Sequence, residues 1–151
     1  MTIRQKNFMH VATIIATISG VVYGWMKYLM ESDDPFAVVN HPWQPAMLHL
    51  HIIGVPLLLF GLGWITANHI VPKYRSKTRA ARRTGITLIV TAALMVASGY
   101  SIQVTTGEAL LTFHRVTHWI SSAVFVLGYL VHQFIKPSPE AGETPARHRV
   151  E

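Results

Sequence analysis

Residues 44–72 read QPAMLHLHIIGVPLLLFGLGWITANHIVP, and this stretch decides the fold. It holds no Asp, Glu, Lys or Arg; none occurs anywhere between Asp34 and Lys73. An uncharged apolar run of about 20 residues is long enough to cross a ~30 Å hydrocarbon layer as a helix. Three further runs free of charge lie between Lys6 and Lys27, between Arg83 and Glu108, and between Arg115 and Lys136. The spans read as 7–30, 45–71, 84–105 and 110–135. A bilayer offers the backbone no hydrogen-bond partners, so spans of this kind are helices. The expected fold is all-α, an integral membrane four-helix bundle over residues 1–136, followed by a disordered polar tail at 137–151. The first span is too long for a cleavable signal peptide and lacks a small-residue cleavage site. Pro56 predicts a kink in the second span.

Composition agrees. Half of the 151 residues are hydrophobic and 13% are charged, about half the usual charged share of a soluble domain. Mean hydropathy is +0.32. The absence of cysteine excludes disulfides, thiolate metal sites and thioether-linked haem. The basic residues set an orientation. Arg4 and Lys6 precede the first span, six Lys and Arg residues lie between Lys73 and Arg83, and Lys136, Arg147 and Arg149 follow the fourth. Glu31, Asp33, Asp34 and Glu108 dominate the other side. By the positive-inside rule both termini are cytoplasmic, in a multi-pass protein of the bacterial inner membrane. The net charge of +6 therefore reflects topology and anionic lipid, with no nucleic-acid partner. No internal repeat stands out beyond the four spans. Gly20-x-x-x-Gly24 reads as a helix contact, and Gly54 and Gly61 as room for a flat cofactor against the backbone.

Nine histidines are the anomaly in so apolar a chain. His51 and His69 stand 18 residues apart on the second span, which is five whole helical turns, so they share one face. On the fourth span His114 and His132 are also 18 apart, and His118 and His132 are 14 apart. The two spans run parallel, so His51 meets the depth of His114 or His118, and His69 that of His132. Facing imidazoles at two depths suit the axial ligands of two noncovalent b-type haems. His118 is deeper than His114 and is preferred at the outer site, leaving His114 for a propionate or a proton route. His49 is about 200° around the helix from His51 and faces elsewhere. His10 has the depth to compete with His69 or His132. Arg115 at the outer end, and Arg82 or Arg83 at the inner end, could receive haem propionates.

Other chemistry lacks its parts. His114-x-x-x-His118 has a metal-site spacing, but Arg115 stands where a zinc protease needs Glu. No carboxylate lies inside a span.

The run Leu48-His49-Leu50-His51-Ile52-Ile53-Gly54-Val55-Pro56, continuing to Asn68-His69, resembles the second helix of small bacterial membrane cytochromes b. Arg82-Arg83-Thr84-Gly85 and Met95-Val96-Ala97-Ser98-Gly99-Tyr100 are similar to their third helix, and His118, Gly128-Tyr129 and Val131-His132 to their fourth. The resemblance covers about residues 44–133. It implies two haems b on His51, His118, His69 and His132, passing electrons between the quinone pool and an external redox partner. It further implies a subunit of a larger redox complex more than a stand-alone enzyme. A haem-free membrane anchor and a transition-metal carrier are the alternatives.

Overall fold

The computed structural model describes residues 1–75 and 79–134, the side chains of 79–81 excepted. Every regular element among them is helical: α1 (Ile3–Tyr28), α2 (Gln44–Ile65), a π-helical segment (Thr66–Ile70), α3 (Val71–Arg75), α4 (Arg79–Val104) and α5 (Glu108–Phe134). Three stretches are long and apolar enough to cross a membrane: Ile3–Tyr28, Gln44–Arg75 and Arg82–Val104. The fourth expected span corresponds to α5, which has the length at 27 residues but carries His114, Arg115, Thr117, His118, Ser121 and Ser122 within its first 15. The expected tail at 137–151 lies outside the described residues.

The boundaries shift for local reasons. α1 starts before the expected residue 7 because Thr2 caps it. The Thr2 hydroxyl accepts from the Gln5 amide at 3.2 Å, and the Gln5 side chain accepts from the Thr2 amide at 2.9 Å, a reciprocal capping box. Gln5 also donates to the Trp64 carbonyl at 3.2 Å and so ties the start of α1 to the end of α2. The expected loop after residue 71 is instead helical to Arg75. α2 runs on past Pro56 and then widens to π geometry over Thr66–Ile70, where the Val71 amide donates to the Thr66 carbonyl. Pro72 follows at once. A proline ring collides with the carbonyl four residues earlier, and a widened turn relieves that crowding.

α1 packs along α2, and α4 packs along α5. Glycine permits the close approach in the first hairpin: a Cβ on Gly54 would lie 3.1 Å from Ile15 and 3.5 Å from the backbone of Ala16. The two hairpins barely touch at backbone level. Their shared core is small, consisting of Met9, Ala12, Ala16, Leu58, Ile65, Ala92 and Phe125. Large side chains such as Ile14, Phe60, Phe113 and Ile120 face outward, which is stable where the surrounding solvent is hydrocarbon.

Candidate functional site

The gap between the hairpins forms two cavities lined by all four long helices. The larger, termed outer after the orientation expected from the sequence, measures about 530 Å³ and is lined by Gly20, His51, Gly99, Arg115, His118 and neighbours. The smaller, termed inner on the same basis, measures about 320 Å³ and includes His10, His69, Tyr129 and His132 in its wall. Phe125, only 3% exposed, belongs to both walls and separates the chambers.

In the outer chamber the rings of His51 and His118 lie 6.2 Å apart, centre to centre, and nearly perpendicular at 87°. Each is held by its own hairpin. His51 Nδ1 is 2.9 Å from the Ala16 carbonyl oxygen and 3.4 Å from the Ser19 hydroxyl. His118 Nδ1 is 2.9 Å from the Met95 carbonyl oxygen and 3.4 Å from the Ser98 hydroxyl. A carbonyl can only accept, so both Nδ1 atoms carry the proton. In a neutral imidazole that leaves Nε2 with a free lone pair. Behind each ring stands a glycine. A Cβ on Gly20 would fall 2.8 Å from His51 Cε1, and one on Gly99 would fall 3.1 Å from His118 Cε1.

The two cradles have the same grammar. A carbonyl at residue 16 or 95, a serine three residues on and a glycine four residues on receive one histidine from the next helix. The two hairpins thus share one local arrangement. The Ser19-Gly20 and Ser98-Gly99 pairs were the signal that could have found it.

The inner chamber pairs His69 with His132, ring centres 6.4 Å apart at 80°. His132 Nδ1 is 2.9 Å from the Thr84 hydroxyl. His69 sits in the π-helical turn. His10 shares this cavity, but its Nδ1 is engaged by the Tyr129 hydroxyl at 2.6 Å. His49 is exposed and lines neither cavity. His114 lines neither as well, its ring meeting that of Phe113 at 5.6 Å. Arg82 edges the inner cavity. An imidazole pair offers lone pairs from both sides to whatever enters the gap, whether a hydrogen-bond donor or an electron-pair acceptor.

The family model described as bacteriorhodopsin-like protein matches residues 1–149. No characterised protein and no solved structure matches the chain. The family match overturns the expected kinship with membrane cytochromes b. With it go the two haems b, electron transfer between quinone and an external partner, membership of a redox complex, and the anchor and metal-carrier alternatives. Among the described residues, no three His, Cys, Asp or Glu side chains gather as a metal site. The physical reason for the error is plain. Helical phase tells where imidazoles meet; it carries no information on the molecule that lies between them.

Proposed function

The chain belongs to the bacteriorhodopsin-like family, and from that premise we propose that it is a membrane-embedded pigment-binding protein. A conjugated, largely apolar ligand occupies the outer cavity against His51 and His118, and a second occupies the inner cavity against His69 and His132. The observation that carries this reading is the fixing of His51 and His118 from opposite hairpins, through Nδ1, with the other nitrogen left to the cavity. Both volumes fall in the range of ligand pockets, roughly 300–1,000 Å³.

α5 is the fourth crossing in this reading. Its polar residues lower its hydropathy, and among them His118 and His132 turn to the gap, where an intramembrane polar side chain serves a ligand. Both termini are cytoplasmic, and the membrane is the bacterial inner membrane.

Retinal, the chromophore associated with the family, does not fit as a lysine-linked Schiff base in mid-membrane. Lys6, Lys27 and Lys73 stand at the ends of the helical stretches, and Lys77 and Lys136 are outside the described residues. No Asp or Glu lies within Ile3–Tyr28, Gln44–Arg75 or Arg82–Val104 to balance a buried cation, which would be costly unpaired. Among the described residues no lysine stands at mid-membrane to form such a link, although Lys6 and Lys73 border the inner cavity and Lys27 the outer one at their ends.

The test is a visible spectrum of the full chain purified in detergent, with solvent extraction and mass spectrometry of whatever colours it. A conjugated molecule should be recovered, and His51→Ala or His118→Ala should lower its amount while His69→Ala leaves the outer portion in place. A colourless chain yielding no conjugated molecule would refute the reading.

A further inference from the structure

Lys27 and Arg115 both stand at the outer end of the larger cavity, from α1 and α5. Lys27 Nζ donates to the Tyr23 hydroxyl at 3.0 Å and lies 5.5 Å and 5.7 Å from the ring centres of Tyr23 and Tyr28. These contacts orient the ammonium without neutralising it. The acidic residues of this side, Glu31, Asp33, Asp34 and Glu108, are all described, yet Asp34 turns its carboxylate back to the Phe36 amide at 2.9 Å. No carboxylate meets either cation among the described residues. Two cations thus flank the mouth of a chamber whose interior is mostly apolar.

A ligand that only filled the apolar space would leave both charges to water. A ligand ending in an acid would engage both, the guanidinium through its planar fork and the ammonium as a point charge. We infer that the ligand of the outer cavity is a conjugated carboxylic acid, its apolar body against His51 and His118 and its carboxylate received by Lys27 and Arg115. This rests on the pigment-binding reading and narrows it, since an aldehyde or a hydrocarbon pigment carries no negative charge to pair with the two cations. A phospholipid would present its phosphate to the same pair, but two flexible acyl chains lose more freedom in a walled cavity than one rigid conjugated body, so the pigment acid is favoured.

The test compares acids with their esters on the full chain, read by quenching of tryptophan fluorescence, because Trp119 lines the cavity. The probes are a rod, all-trans-retinoic acid against its methyl ester, and a disc, metal-free protoporphyrin IX against its dimethyl ester. At least one acid should bind about tenfold or more tightly than its ester, the scale of a hydrogen bond to a charged group. Lys27→Met with Arg115→Met should abolish that preference and leave ester affinity within about twofold, which also reports that the double variant is folded. Equal binding of acid and ester, sensitive to His51→Ala, overturns the carboxylate alone. An acid preference that survives in the double variant overturns the role of the two cations. Displacement of the bound acid by phosphatidylglycerol, with no effect of His51→Ala, makes the site a lipid site and overturns the inference. Absence of any binding overturns this inference and the pigment reading together.

Discussion

Gly20 and Gly99 guard equivalent histidines with unequal tolerance. A methyl group at residue 20 would come within 2.8 Å of the His51 ring, whereas at residue 99 the approach to His118 is 3.1 Å. Overpacking of this kind costs about 1–3 kcal/mol, enough to turn a ring away from its carbonyl. Gly20→Ala should therefore deplete the outer pigment several-fold, by roughly that energy range, and Gly99→Ala should deplete it less; absorbance per chain of the two purified variants is the comparison. Equal depletion would show that the glycines do not set the ring positions. The facing of His51, His118 and His132 across the gap was legible in the sequence by counting residues along α-helices, whereas His69 lies in a π-helical turn where a 3.6-residue count drifts. The carbonyl partners at Ala16 and Met95 were not legible, since a backbone oxygen has no residue type to announce it. The identity of the ligand was not legible either. The His and Gly positions that resemble a cytochrome's are those that any helical bundle needs to admit a ligand against an imidazole.

Among the elements, α2 shows most clearly what local sequence can and cannot state. Gly54 and Gly63 are indistinguishable in composition, yet a Cβ on Gly54 meets Ile15 and Ala16, while one on Gly63 meets nothing within 4 Å. Gly54→Val should lower thermal stability by about 1–3 kcal/mol through overpacking of the α1–α2 contact. Gly63→Ala should be neutral or raise it by about 0.5–1 kcal/mol through helix propensity; denaturation in detergent distinguishes the two. The crossing was readable from its missing charges, but the π-helical turn at Thr66–Ile70 was not, although Pro72 supplied a hint. That turn carries His69, so Pro72→Ala should relax it, rotate the imidazole, and diminish the inner pigment while sparing the outer one. Unchanged inner occupancy would mean that the proline does not hold the widened turn in place.

At the scale of the molecule, the native chain contains no cysteine, which makes its proposed topology easy to probe. Asp34→Cys should react with a membrane-impermeant maleimide on intact cells, whereas Thr2→Cys and Arg75→Cys should react only after permeabilisation; the reverse pattern would invert the orientation. The all-helical architecture was legible because long charge-free runs have one solution in hydrocarbon. The cavities between the hairpins were not, because apolar side chains lining a cavity read the same as those in a packed interior. If the proposed pigment is bound, the scant contact between the hairpins has a physiological consequence. A molecule bound only by the finished form stabilises that form. Chains made in excess of their guest would be left ajar and open to proteases, so the amount of this protein in the cell would track the supply of a small molecule as closely as the expression of its own gene.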